Sequence, residues 1–224
     1  GNTTNGGLIT TSHADGIKRI NFGMWQKNGN VLEFDSANFD DIEIDNTSYN
    51  WTNLSDAEFN IKTDWEDDGV ISTIFINGAF NNGGSGVFWI TADPVNSRMR
   101  VFLSDVSNGS TEQFFITGVD FGSLDIDFRN LELTVNGVLK KTYTDRVLNI
   151  SNTIYPLALF NTNNPAKNYA RSGTLYSLEI NGDEFLLREG RGVETESEDG
   201  AVVATINTSH ASGEDYINEN IWDK

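Results

Sequence analysis

The sequence contains no cysteine. That excludes a disulfide framework, thiolate catalysis and any cysteine-ligated zinc site. Both a reducing cytosol and a disulfide-free extracellular setting stay open. Proline is scarce, at positions 94, 156 and 165 only, which fits strands that need their backbone N–H groups for a ladder. Basic residues are few. Against 33 Asp and Glu stand 15 Lys and Arg, and 15 − 33 gives a net charge of −18 at pH 7. A surface of that sign repels phosphate backbones and anionic lipid, so nucleic acid and an acidic membrane surface are excluded as partners. No apolar run approaches the roughly 20 residues of a spanning helix, so membrane insertion is not expected.

What is present is enough for a core. Hydrophobic residues make up 38% of the 224 positions and aromatics 11%, which excludes disorder over most of the length. All-β sandwiches of roughly 200–250 residues commonly form one domain. The chain begins at Gly1 without a visible secretory leader, which reads as a processed or tag-cleaved fragment.

Apolar and polar residues alternate with period two through many short runs, the mark of half-buried strands. Examples are 31–34, 41–44, 58–62, 70–76, 86–90 and 99–103 in the first half. The second half adds 112–116, 125–128, 131–135, 138–143, 155–160, 173–180 and 202–206. Turn signals separate them: Asn77-Gly78, Asn81-Asn82-Gly83-Gly84, Asn108-Gly109, Asn136-Gly137 and Asn181-Gly182. Asn-Gly suits tight hairpins because both residues tolerate positive φ. No segment sustains helical periodicity, so the spacing predicts an all-β sandwich or jelly roll.

The two ends of the chain repeat one another. Residues 9–27, ITTSHADGIKRINFGMWQK, align without a gap to 206–224, INTSHASGEDYINENIWDK, with ten identities in nineteen positions. The offset, 206 − 9 = 197 residues, matches a whole sandwich domain. Residues 1–27 therefore read as the tail of a preceding homologous repeat, or an N-terminal extension, and 28–224 as one complete copy. The other reading is that both segments belong to one fold, as similar strands or a trimer-forming motif. Both histidines, His13 and His210, lie in this repeat beside Ser and Thr, which suits a hydroxyl-bonded turn better than a metal site.

Residues 31–44, VLEFDSANFDDIEI, resemble the opening strand pair of the laminin G and concanavalin A-like lectin family. LELTVNGVLKK at 131–141 is similar to that family's tight hairpin, and GTLYSLEI at 173–180 resembles its late returning strand. INGDEFLLREGRG, followed by a terminal Trp, looks like the closing part of copies in phage tail and other virion proteins. The resemblance implies an all-β, two-sheet antiparallel β-sandwich, a concanavalin A-like jelly roll that binds carbohydrate or protein, often with calcium at the loop rim. As a pattern of short motifs it speaks to fold more than to function.

Three chemistries bear on these residues. A family 16-type glycoside hydrolase of this fold would carry E-x-D-x-x-E on one strand. Glu43 and Asp45 supply the first two acids, but Ser48 stands at the third. Retaining hydrolysis needs two carboxyl groups about 5–5.5 Å apart, so one partner is missing. Asp125 and Asp127 form another alternating pair without a third member. No G-x-S-x-G, P-loop or HExxH motif occurs.

Calcium needs several hard oxygen ligands. Asp64, Glu66, Asp67 and Asp68, beside Gly69, form the densest candidate set. Asp40 and Asp41 form a second and Asp93 a lone third. The acidic run 194–199 lacks an internal glycine and reads as a solvated loop.

Sugar binding needs aromatic faces and planar hydrogen-bonding groups. Asn161, Asn163, Asn164, Tyr169 and Arg171 supply these in one long segment, with Trp65 and Trp89 as a candidate stacking platform. The expectation is thus a non-catalytic module of a virion or cell surface, in a phage tail fibre or spike, recognising a host glycan. Its expected partners are the glycan, virion proteins and further copies of itself, including a homo-oligomer. A protein-contacting structural module is the second reading and a polysaccharide-degrading enzyme the third.

Overall fold

A computed structural model of the chain describes residues 32–45, 48–65, 71–78, 86–104, 111–148, 150, 156–161, 172–185, 187, 191–197 and 202–207. The first half supplies β1 (Leu32–Phe34), β2 (Asp41–Ile44), β3 (Phe59–Thr63), β4 (Ser72–Gly78), β5 (Val87–Asp93), β6 (Arg98–Ser104) and β7 (Thr111–Thr117). The second half supplies β8 (Leu124–Arg129), β9 (Glu132–Val135), β10 (Val138–Thr142) and β11 (Leu157–Leu159). It ends with β12 (Gly173–Ile180), β13 (Asp183–Glu184), β14 (Arg191–Glu196) and β15 (Val203–Asn207).

These strands form two sheets in which every described pairing is antiparallel. The seven-stranded sheet runs β1-β12-β3-β8-β9-β10, with β13 added to β12. The eight-stranded sheet runs β14-β15-β2-β11-β4-β5-β6-β7. Because β1, β2, β3 and β4 alternate between the sheets, the two are laced together early in the chain. The expected two-sheet antiparallel sandwich is the observed architecture.

Period-two alternation places one face of each strand inside, as in β6 and β8, where buried and half-buried residues alternate. The inward residues meet in an aromatic cluster. Phe59 and Phe128 come from directly paired strands of one sheet, Phe75 and Phe88 from the other. Phe59 stacks on Phe75 at 4.5 Å between centroids, and Phe88 meets Phe128 edge-on at 5.0 Å. Such pairs each add about 0.5–1.5 kcal/mol beyond the area they bury. A second stack, Phe34–Phe160–Trp65, has centroid spacings of 4.0 and 5.1 Å.

Asn136-Gly137 and Asn181-Gly182 make the expected tight hairpins, with positive φ at all four residues. The Asn136 side chain also accepts from Asp125 N–H and donates to Ser123 C=O, tying the hairpin to β8. Two expectations are corrected. Asn77 and Gly78 are the last residues of β4, and Asn77 is buried with Nδ2 donating to Tyr49 C=O. Residues 194–196 of the acidic run belong to β14, which pairs with β15. Among the described strands β14 is the outermost of its sheet. The Asn81–Gly84 and Asn108-Gly109 signals, the first copy of the repeat and the second from Thr208 onward lie outside the described residues.

Gly86 precedes β5 where an added Cβ would overlap the backbone carbonyl of Leu148 and come within 3.0 Å of the Ser104 carbonyl. Neither obstacle is a side chain that can swing away. Gly86→Ala should therefore lower stability by about 3 kcal/mol or more, read by urea unfolding. Both described sheets lie within residues 32–207. A chain beginning at Asn28 should unfold cooperatively with an unchanged midpoint, and failure to fold would contradict the repeat reading.

Candidate functional site

The outer faces of the two sheets differ in how their charges are spent. On the seven-stranded sheet, Arg129 bonds Asp127 through Nε and Nη2, at 2.6–3.0 Å, and lies 3.4 Å from Glu58. Asp125 accepts from Asn60 Nδ2 at 2.7 Å and faces Lys62 at 3.8 Å. On that face both of these cations are paired with carboxylates.

The eight-stranded sheet presents an aromatic and arginine-bearing shelf across β5, β6 and β7. Antiparallel register fixes its rungs: Asp93 faces Arg98, Thr91 faces Arg100, and Trp89 faces Phe102. Beyond β6, Arg100 faces Phe115 and Phe102 faces Gln113. Residues two apart share a face, so these side chains form one surface. Arg98 lies over the Phe115 ring at 4.6 Å and Arg100 over the Trp89 ring at 5.1 Å. The shelf grades from buried Trp89 and Thr91, through half-buried Arg98 and Arg100, to exposed Phe115 and Gln113 on the edge strand.

The arginines are satisfied unequally. Arg98 Nε donates to Asp93 Oδ2 at 2.7 Å. Asp93 also caps the turn Pro94–Asn96, accepting from Asn96 N and Nδ2. Burial alone would raise the Asp93 carboxyl, but the hydrogen bonds from Asn96 and Arg98 outweigh it and hold it below the ordinary aspartate range. Arg100 Nε, by contrast, is buried with no acceptor, and so is Thr91 Oγ1 opposite it. Among arginines whose side chains are described, Arg98, Arg129 and Arg146 each have a carboxylate partner and Arg100 has none.

Several residues singled out in the sequence sit elsewhere. Trp65 and Trp89 do not form a stacking platform, because both are buried, at 5% and 3% exposure. Trp65 stacks on Phe160 and donates Nε1 to Ser72 Oγ, while Trp89 donates to Thr73 Oγ1 and packs with Ile76, Val87 and Ala158. Asn161 is fully buried, with Nδ2 3.5 Å from Phe39 C=O, so it is not a surface hydrogen bonder. Asn163, Asn164, Tyr169 and Arg171 lie outside the described residues.

The described acidic candidates are engaged within the fold. Asp64 accepts from Thr174 N–H at 2.7 Å and from Tyr176 Oη at 2.6 Å. Asp40 is buried and accepts from Asp35 N–H, and Asp41 is buried within β2, opposite Asn207. Asp93 is spent as above. Glu66, Asp67 and Asp68 lie outside the described residues. Among the described residues no three Asp, Glu, Cys or His side chains cluster around a point. Asp127 is held by Arg129 and Asp125 by Asn60, while Glu43 faces Ala158 and Thr205 across its neighbouring strands.

Sequence reasoning missed Arg98, Arg100 and Thr91. One signal was available: VFWITAD in β5 is apolar at positions of both parities, and every residue of it is buried. A strand covered on both sides has an outer face that differs from a plain solvated one.

No family model matches the chain, and no curated protein matches it. Among solved structures it is similar to the carbohydrate-binding module CBM40 of a Ruminococcus gnavus sialidase, bound to α2,3-sialyllactose. That match has 12% identity, 62% of this chain, 80% of that chain and a TM-score of 0.47. Mouse laminin α1 domains LG4-5 match at 9% identity over 69% of this chain and 42% of theirs, with a TM-score of 0.46. A heptameric pentraxin from Limulus polyphemus matches at 9% identity over 79% of this chain and 94% of its own, with a TM-score of 0.42. The likeness is one of sandwich architecture and carries nothing about ligands.

A charge clamp closes the open end of the sandwich between β7 and β10. Glu112 accepts from Arg146 Nη2 at 2.6 Å and lies 3.2 Å from Lys141 Nζ. Burial would raise its carboxyl, but hydrogen bonds from Lys141 and Arg146 prevail and depress it below the usual glutamate range. A depressed folded value means stabilisation that is complete above the unfolded pKa, about 4.3, and is lost as pH falls through the folded one. The melting temperature should drop as pH is taken below about 4, and Glu112→Gln should flatten that part of the profile.

Proposed function

We propose that this chain is a non-catalytic carbohydrate-recognition module of a virion or cell-surface protein, such as a phage tail fibre or spike, and that it binds a host glycan. The observation that carries the reading is the β5–β7 shelf. Sugars offer apolar C–H faces and a rim of hydroxyls, which call for an aromatic surface beside planar hydrogen-bond donors. Phe115, Gln113, Arg98 and Arg100 provide both on one open face. The terminal repeat supports the same reading, because linked copies convert weak sites into avid binding.

A structural, protein-contacting module is the second reading. Val138 and Leu139 are 55% and 51% exposed on β10, the edge strand of the seven-stranded sheet, where another chain could pair. Polysaccharide cleavage has no complete acid–base set behind it among the described residues. Calcium rests on the sequence of residues 64–68 alone and is a separate proposal.

Labelled full-length chain on an array of glycans, with calcium and with EDTA, tests the reading. Saturable binding to a defined glycan class is expected, weakened when Phe115→Ala removes the exposed ring. Silence on every glycan, together with self-association in solution, would transfer the assignment to the structural module. Chelation that leaves the melting temperature unchanged removes calcium, because a ligand of the native state must raise it.

A further inference from the structure

We infer that the shelf binds the anionic group of an acidic sugar, a carboxylate or a sulfate, with Arg100 as its anchor and Thr91 beside it. The inference rests on the glycan reading above and narrows it to one class of saccharide.

Two successive same-face rungs of the β5–β6 ladder show what is missing. At one rung an acid faces an arginine, and Asp93 takes the Arg98 Nε–H at 2.7 Å. At the next, Thr91 faces Arg100, and the guanidinium has no carboxylate partner. Both guanidiniums lie over an aromatic ring, Arg98 over Phe115 at 4.6 Å and Arg100 over Trp89 at 5.1 Å. Stacking occupies the flat face of a guanidinium and leaves its in-plane N–H edge for an acceptor. That edge, Nε–H with a neighbouring Nη–H, matches a carboxylate or sulfate in two parallel hydrogen bonds.

Buried polar atoms without partners are rare in folded proteins, and each calls for an explanation such as a ligand, ion or water. Here two lie on directly opposed residues, Arg100 Nε and Thr91 Oγ1, and Thr91 is only 1% exposed. An anion that lifts the Arg100 side chain from this buried position satisfies both, accepting from the guanidinium and from the hydroxyl. The sugar ring then extends toward β7, where Phe115 and Gln113 are exposed. Net charge sharpens the point. A chain of −18 repels anions at long range, so acidic-glycan binding here cannot be diffuse adsorption and needs a local cation free of an internal partner.

The test uses the full chain on an array of matched neutral, carboxylated and sulfated oligosaccharides, alongside Arg100→Gln, Arg100→Lys and Thr91→Val. The chain should retain the acidic members over their neutral counterparts, and the carboxylated and sulfated arms decide between the two anions. Arg100→Gln should weaken that binding about ten- to a hundredfold, the scale of a lost hydrogen bond to a charged group. Its melting temperature should be unchanged. Arg100→Lys keeps the charge but loses the planar edge and should weaken binding as well, and Thr91→Val should do so to a smaller degree. Equal retention of neutral and acidic glycans, or full affinity in both Arg100 variants, overturns the anion site and leaves glycan recognition standing. Absence of binding to any glycan overturns both.

Discussion

The structure depends on the ring cluster that joins the two sheets. Phe59 and Phe128 on one side and Phe75 and Phe88 on the other are fully buried and mutually in contact. A pleated strand can turn only alternate residues toward that cluster. Every other position on the interior strands is therefore directed to an outer face. The rings hold the sandwich closed without a disulfide, and the outer faces are left to differ in chemistry.

They differ sharply. The seven-stranded face sets Arg129 among Asp127, Glu58 and Glu179, and Lys62 against Asp125, so both cations are paired with carboxylates. The eight-stranded face gives Arg98 its acid and leaves Arg100 without one, beside aromatic rings that grade from buried to exposed. In a protein with more than twice as many acids as bases, an arginine lacking a carboxylate partner is the informative exception. At the open end, Glu112 joins Arg146 and Lys141 and binds the edge strand of one sheet to the other. Charge pairs therefore serve the fold at the rim, and the arginine they leave over marks the shelf.

The architecture was legible where alternation was clean. LDIDFR in β8 alternates strictly and RMRVFLS in β6 does so apart from Phe102, and the Asn-Gly hairpins after β9 and β12 form where expected. Alternation does not say which residues of a two-sided apolar strand face a partner sheet. Trp89 was for that reason open to assignment as a surface platform, although β5 is buried along its whole length. Asn77-Gly78 carries a turn signature yet completes a buried strand, because a tertiary contact to Tyr49 outweighs local turn preference. The shelf itself was not legible. Its defining feature is the register that sets Thr91, rather than an acid, against Arg100, and cross-strand register is a tertiary fact that no window of sequence contains.

The account turns on where a glycan lies. A crystal structure of the full chain soaked with an acidic oligosaccharide is the most direct measurement. The account predicts the acid group in the plane of the Arg100 guanidinium, within hydrogen-bond reach of Thr91 Oγ1, and the sugar ring leaning toward Phe115. An oligosaccharide seated on the seven-stranded face, or at a loop rim away from β5–β7, would contradict it.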